Sequence, residues 1–192
     1  AAAAAAAGVG LVVVGPEAPL ADGLVDRCRA LGVPAFGPTA AAAQLEASKA
    51  YAKAFMQRHG IPTAGAGSFD EEGAALAAIQ GPCVVKADGL AGGKGVFVCD
   101  DAGSARAAVQ QLFAQRPDGR VLIEDRLEGP ELSVLALCDG QRFVTLPPAR
   151  DHKRRFDADK GPNTGGMGAF APVQVPEALL EMVRTQVIAP TL

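Results

Sequence analysis

Short apolar runs alternate with amphipathic stretches along the first third of the chain. Leu11-Val12-Val13-Val14 is uninterrupted and closes on Gly15-Pro16. An apolar run without alternation predicts a buried parallel strand. Residues 20–31 set Leu20, Leu24, Val25, Cys28 and Leu31 at helical spacing, and Val33 to Phe36 is a second short run ended by Gly37-Pro38. Strand, helix and strand in so few residues predict a βαβ unit, the building block of a parallel sheet. Residues 40–59 read as one helical stretch with Leu45, Ala52, Phe55 and Met56 on its apolar side. Gly60-Ile61-Pro62 stops it, and a domain boundary is placed there.

Beyond the boundary, Ser68 and Asp70 are candidate caps for a helix running to about Gln80. Gly81-Pro82 introduces the strand Cys83-Val84-Val85-Lys86. The glycine-rich turn Asp88 to Gly95 joins it to the strand Val96-Phe97-Val98-Cys99. Asp101 opens a helix to about Gln115, and Arg120 to Glu124 is the next strand. Residues 131–146 predict a hairpin around Asp139-Gly140, a type I′ turn signal. A long polar connection from Pro147 to about Pro172 follows, then a last helix from near Pro176 to about Ile188. Loops of that length are uncommon in compact domains and are often functional.

Composition narrows the function classes. In 192 residues, 49% hydrophobic and 20% charged is an ordinary globular balance, which excludes a disordered or collagen-like chain. A net charge of −3 excludes a general nucleic-acid binder, which needs a basic face. No apolar run reaches the ~18 residues of a membrane helix. Ala1 to Ala7 lacks the basic and leucine-rich parts of a secretory signal, so a cytoplasmic protein is expected. The alanine run reads either as a helix end or as padding. Cys28, Cys83, Cys99 and Cys138 form no C-x-x-C pair and are expected as reduced thiols. His59 and His152 are far apart in sequence, which argues against zinc. The first residue is not Met, and the last ones directly follow an amphipathic run; both are read as signs of a fragment.

Four segments carry candidate chemistry, each with a plainer alternative. Asp88-Gly89-Leu90-Ala91-Gly92-Gly93-Lys94-Gly95 could be a flap whose backbone N–H groups and lysine meet phosphates, or simply a tight hairpin. It is neither a Walker loop, since Gly95 follows Lys94, nor a dinucleotide fingerprint. Lys86 ends an apolar strand and must snorkel or meet an anion. Lys49 opens a helix against its dipole, which hints at a phosphate. Ile123 to Glu131 could be a hinge that reads an adenine edge through backbone and ribose hydroxyls through Glu131, or an exposed acidic turn. Asp151-His152-Lys153-Arg154-Arg155 and Gly161 to Gly168 suit a phosphorylated small molecule, or form a solvated basic loop. The basic cluster is too short, and too poor in aromatics, for nucleic acid.

Taken in order, Val14-Gly15-Pro16-Glu17-Ala18-Pro19-Leu20, Phe36-Gly37-Pro38-Thr39, Gln44-Leu45-Glu46, Lys86-Ala87-Asp88-Gly89-Leu90-Ala91, Gly93-Lys94-Gly95-Val96, Asp151-His152-Lys153-Arg154 and Gly161-Pro162-Asn163-Thr164-Gly165-Gly166-Met167-Gly168-Ala169 closely resemble the phosphoribosylamine–glycine ligases, or glycinamide ribonucleotide synthetases, of the ATP-grasp superfamily. The resemblance spans about Leu11 to Leu192. It implies an α/β fold in three pieces: the closing part of a Rossmann-like N-terminal domain over 1–61, a small α/β lid over 62–123 and the opening part of the ATP-grasp core over 124–192.

The resemblance also implies an activity in purine biosynthesis. Glycine is joined to 5-phosphoribosylamine at the expense of ATP, through a glycyl phosphate. Lys49 and Lys86 match the lysines that contact the nucleotide phosphates. Ala91, Gly92, Gly93, Lys94, Gly95 and Val96 match the flap and the strand it feeds. Glu124, Asp125 and Leu127 match the adenine-reading hinge, and Glu131 matches the ribose carboxylate. Gly15, Pro16 and Glu17, with Asp151, Lys153, Asn163, Thr164, Gly165, Gly166 and Met167, match the region facing the sugar phosphate and glycine. The departures are Asp125 and Arg126 where an acidic then an aromatic residue is usual, Pro130 for Glu, and Gly92 for Ala. The family's Gly-Gly-Arg-Glu-His loop would precede Ala1, and the ligands of Mg2+ (or Mn2+) would lie beyond Leu192. The chain alone is therefore expected to be inactive, with a monomer favoured and no nucleic-acid or membrane partner. Another ATP-grasp ligase and a non-catalytic nucleotide-binding remnant are the alternatives.

Overall fold

The computed structural model describes residues 1–90, 95–157 and 160–192. The alanine run forms helix α1 (Ala2–Ala6), as alanine's helix propensity favours. Strand β1 (Val12–Val13) pairs in parallel with β2 (Ala35–Phe36), and α2 (Glu17–Ala21) and α3 (Leu24–Ala30) cross between them. The expected βαβ unit is present. Its crossover is two helices because Gly23, at φ 77°, turns the chain between them. Val25 and Cys28 of α3 are fully buried.

The stretch expected as one helix over 40–59 is broken. Helix α4 (Gln44–Ala47) ends at Ser48, which is extended, and α5 (Lys49–Arg58) begins directly after it. The break has a local cause. Ser48 Oγ accepts from the Tyr51 amide at 3.1 Å, an N-cap bond that requires non-helical backbone at Ser48. The apolar side of the stretch also differs from expectation. Leu45, Ala52 and Met56 are only half-buried and line an open cleft.

A four-stranded antiparallel sheet follows, in the order β3-β6-β4-β5. Its strands are β3 (Ala66–Phe69), β4 (Cys83–Ala87), β5 (Val96–Cys99) and β6 (Val121–Asp125). Strand β3 corrects the sequence reading, which placed Ser68 and Asp70 at a helix start. Ala66 to Phe69 pairs with Glu124 to Val121, a partner far along the chain that local pattern does not disclose. Asp70 instead forms an ion pair with Arg120 at 2.6 Å, which holds its carboxyl below the ordinary range. The helix that follows, α6 (Glu72–Ala78), has no side-chain cap.

Helix α7 (Ala102–Gln115) starts as expected at Asp101, whose carboxylate accepts from the Ser104 amide at 2.7 Å. Helices α6 and α7 pack on one face of the sheet. Alternation along β4 sends Cys83 and Val85 into this layer, where they join Ala75, Val109 and Leu112 in the core. Cys28, Cys83 and Cys99 are buried and Cys138 is half-buried, all as free thiols. Burial pushes the Cys83 and Cys99 thiols up.

Strands β7 (Ala136–Cys138) and β8 (Phe143–Thr145) make the expected hairpin. Its closing pair is Asp139 and Arg142, one residue out from the Asp139-Gly140 tip of the sequence reading. The Asp139 carboxylate takes the amides of Gln141 and Arg142, so a side chain supplies part of the turn's bonding.

The connection expected as a long loop is organised. Strand β9 (Arg150–Asp151) pairs with β12 (Ala169–Phe170), and β10 (Arg154–Phe156) with β11 (Lys160–Asn163). The side chains described on these strands stay exposed or half-buried, so no alternation marks them in the sequence. The last helical stretch comprises α8 (Glu177–Val183), a π-helical segment Arg184–Ile188 and α9 (Ala189–Thr191).

Candidate functional site

The face of the sheet opposite α6 and α7 borders a cleft of about 910 Å³, a size that suits a nucleotide-sized ligand. Several parts of the chain wall it. Glu17 comes from α2, Leu45, Glu46, Lys49, Ala52, Lys53 and Met56 from α4 and α5, and Thr63 and Ala64 from the segment before β3. Lys86, Gly89, Leu90, Val96 and Glu124 come from the sheet and its β4–β5 connection. Leu127, Glu131, Lys153, Thr164 and Gly165 complete it.

Alternation along β4 carries Lys86 to this face, and the register Val84↔Glu124 brings Glu124 of β6 beside it. Glu124 is 7% exposed and is the single buried charged side chain among the described residues. Its Oε2 accepts from Lys86 Nζ at 2.8 Å and lies 3.5 Å from Lys53 Nζ. Lys53 also donates to Thr63 Oγ1 at 2.7 Å and to Ala64 O at 2.9 Å. A buried carboxylate between two ammonium groups avoids the desolvation penalty of an unpaired charge and leaves one positive charge in excess.

The start of α5 is held by the turn that follows β4. The Asp88 carboxylate accepts from the Ala50 amide at 3.2 Å and from Ser48 Oγ at 3.1 Å. It lies at the N-terminal, electropositive end of α5. Lys49, at the first position of that helix, donates to Gly89 O at 2.8 Å. That partner is a neutral carbonyl, and no carboxylate among the described residues pairs with the Lys49 ammonium.

At the other end, Lys153 Nζ donates to Glu131 Oε2 at 2.9 Å and lies 3.6 Å from Asp151. The bond to Glu131 holds the lysine's pKa above its ordinary value. Thr164 is fixed by its amide, which donates to Lys153 O at 2.7 Å, and by its hydroxyl, which donates to the same oxygen at 2.9 Å. Arg126 reaches Asp100 at the end of β5 and lies 3.9 Å from Glu128, tying the segment after β6 to the sheet edge.

Of the residues singled out in the sequence, Lys49, Lys86, Val96, Glu124, Leu127, Glu131, Glu17, Lys153, Thr164 and Gly165 border this one cleft. Gly15 and Pro16 sit at the start of α2 beside Glu17, with Pro16 as its N-cap, and do not line it. Asp125 ends β6, its amide bonded to Gly65 O at 2.9 Å. Asp151 is not among the lining residues and lies 3.6 Å from Lys153, which is. Asn163 ends β11, and Gly166 and Met167 lie beyond the lining, Met167 exposed. Gly95 lies at the base of the β4–β5 connection, its carbonyl accepting from the Ala87 amide at 2.8 Å. Ala91, Gly92, Gly93 and Lys94 lie outside the described residues. Two features of this bonding network escaped the sequence reading, Lys53 beside Glu124 and the capping contact of Asp88. Lys53 had a signal: it is four residues after Lys49 on one helix, which puts both ammonium groups on one face.

The fold is shared with an ATP-grasp RimK domain protein from Sphaerobacter thermophilus, at a TM-score of 0.64 over 92% of this chain and 64% of that one, with 19% identity. The class is therefore the ATP-grasp fold. Within it, the chain belongs to the phosphoribosylglycinamide synthetase family: residues 47–192 match the family's ATP-grasp (A) domain and residues 1–46 its N domain. It is 50% identical to phosphoribosylamine–glycine ligase of Allochromatium vinosum over 95% of this chain and 45% of that protein. The crystal structure of phosphoribosylamine–glycine ligase from Thermotoga maritima superposes at a TM-score of 0.81, with 36% identity, over 93% of this chain and 45% of that one. The chain spans under half the length of these relatives.

Proposed function

We propose that the polypeptide carrying this chain ligates glycine to 5-phosphoribosylamine, giving glycinamide ribonucleotide, ADP and phosphate. The observation that carries the reading is the convergence of Lys49, Lys86, Glu124, Leu127 and Glu131 on one cleft, in a chain 50% identical to such a ligase. The chemistry needs what these side chains offer. A carboxylate is a poor acyl donor until one of its oxygens is phosphorylated, so that phosphate can leave when the amine attacks. Catalysis then depends on positioning and on neutralising the transferred phosphoryl group. Lys49 and Lys86 face the polyphosphate of ATP in this reading. Glu131 accepts the ribose hydroxyls, with Leu127 and the backbone beside it meeting the base. The glycine-rich segment 161–168, with Asp151 and Lys153, faces the sugar phosphate and the amino acid.

A divalent ion, Mg2+ or Mn2+, belongs to the same proposal. Among the described residues no three His, Cys, Asp or Glu side chains gather as a metal site, so no step through a metal is assigned to them. The 192 residues alone are proposed to hold nucleotide without turning over, since they span 45% of the Allochromatium ligase. The division at 1–61, 62–123 and 124–192, a cytoplasmic location and a monomeric state belong to this reading too. No described helix is long and apolar enough to cross a membrane.

The test is ADP release by the natural full-length polypeptide. It is expected to require both glycine and 5-phosphoribosylamine and to fall by about a hundredfold in Lys86→Ala, the scale of a lost transition-state charge contact. Turnover that ignores 5-phosphoribosylamine makes the protein a different ATP-grasp ligase. ATP binding without any turnover makes it a nucleotide-binding remnant.

A further inference from the structure

Lys53 is the more enclosed of the two lysines on Glu124, its side chain 12% exposed against 26% for Lys86. An ammonium group has three protons to donate. Lys53 Nζ has three acceptors around it: Thr63 Oγ1 at 2.7 Å, Ala64 O at 2.9 Å and Glu124 Oε2 at 3.5 Å. Lys86 Nζ, among the described residues, has Glu124 Oε2 alone, at 2.8 Å. One oxygen of one buried carboxylate thus serves two cations that are bound very differently. Lys53 is pinned by neutral groups of the segment leading into β3, while Lys86 keeps donors to spare and borders the open cleft.

We propose that Lys53 is a positioning residue that shares the Glu124 carboxylate and so leaves the Lys86 ammonium able to engage a polyphosphate. A buried carboxylate facing a single lysine closes on it as a neutral pair and holds it. Facing two lysines, one of them anchored elsewhere, it leaves one unit of positive charge on the side of the other, Lys86. Lys53 also ties α5, which carries Lys49, to the entrance of β3 and to β6. The two phosphate-facing lysines are thereby set relative to one another. This inference rests on the reading of the cleft as the site of a nucleoside triphosphate.

The experiment measures dissociation constants of ATP and of adenosine for the natural full-length protein and its variants. Lys53→Gln can still hydrogen-bond Thr63 and Ala64 O but carries no charge, so it preserves much of the local bonding. It is expected to weaken ATP by about tenfold, the effect of one screened unit charge at this range, and adenosine by less than about twofold. Lys53→Arg is expected to recover most of the loss. In a Lys86→Met background the further effect of Lys53→Gln on ATP is expected to shrink to about twofold, because the residue acts through Lys86. Equal weakening of ATP and adenosine overturns the proposal and leaves Lys53 a fold-holding residue. A full tenfold effect that persists without Lys86 also overturns it, making Lys53 a direct phosphate contact. Wild-type protein that binds no ATP defeats the reading of the cleft itself, a result separate from either.

Discussion

Replacing Glu124 by Gln keeps the shape of the side chain and removes the negative charge that two lysines share. At an effective dielectric of about 20, the attractions across 2.8 and 3.5 Å are ~6 and ~5 kcal/mol before the desolvation of all three groups is subtracted. Net losses on breaking a buried pair run to about 3–5 kcal/mol, and both lysines keep some contact with solvent here, so we take about 3 kcal/mol. With a urea slope of ~2 kcal/mol per molar, the unfolding midpoint falls by about 1.5 M. The same substitution leaves two uncompensated ammonium groups on the cleft. Inorganic tripolyphosphate, which has the charge of a nucleotide and no base, should then raise the midpoint of Glu124→Gln by more than it raises that of the wild type. Urea titrations of both proteins with and without millimolar tripolyphosphate measure this directly. A variant as stable as the wild type, or one protected less by tripolyphosphate, refutes the account of Glu124 as the shared counter-charge of Lys53 and Lys86.

Three further outcomes are expected. Leu122→Ala, at a fully buried position on β6, should cost about 3 kcal/mol as cavity and lost transfer energy, read as a urea midpoint shift without change of slope. The Asp101 carboxyl lies below its ordinary value of 3.8 because the Ser104 amide bonds its charged form, so its contribution is complete above that value and fades as pH falls through the lowered one. Asp101→Ala should therefore melt at a lower temperature than the wild type at pH 6, and the difference should narrow below about pH 4, as differential scanning calorimetry can follow. A thiol titration with an aromatic disulfide at pH 7.5 should modify Cys138 first and reach Cys83 and Cys99 only on unfolding, since burial raises both their pKa values and shields them; prompt reaction of four thiols would contradict the packing of β4 and β5.

Local pattern was enough for much of the fold. The βαβ unit, the strands at Cys83 and Val96, the capped helix from Asp101 and the hairpin near Gly140 all follow from apolar runs, caps and turn residues within about fifteen positions of one another. The motifs from Val14 to Ala169 were likewise sufficient to name the family, because residue identities in register carry that information without coordinates. The tertiary structure decided what depends on distant partners. Strand β3 exists because Ala66–Phe69 finds Val121–Glu124 across more than fifty residues, and its own sequence carries little strand preference. The four strands within 150–170 pair through backbone groups, and their described side chains stay at least partly exposed, so hydrophobic periodicity could not mark them. Within the site, the sequence alone pointed to Lys86 and Glu124 separately. Their pairing, and the place of Lys53 and Asp88 beside them, come from strand register and from the packing of α5 against the β4–β5 connection. Charge partners close in space and far apart in sequence are chosen by topology, and no local rule of pattern or propensity contains them.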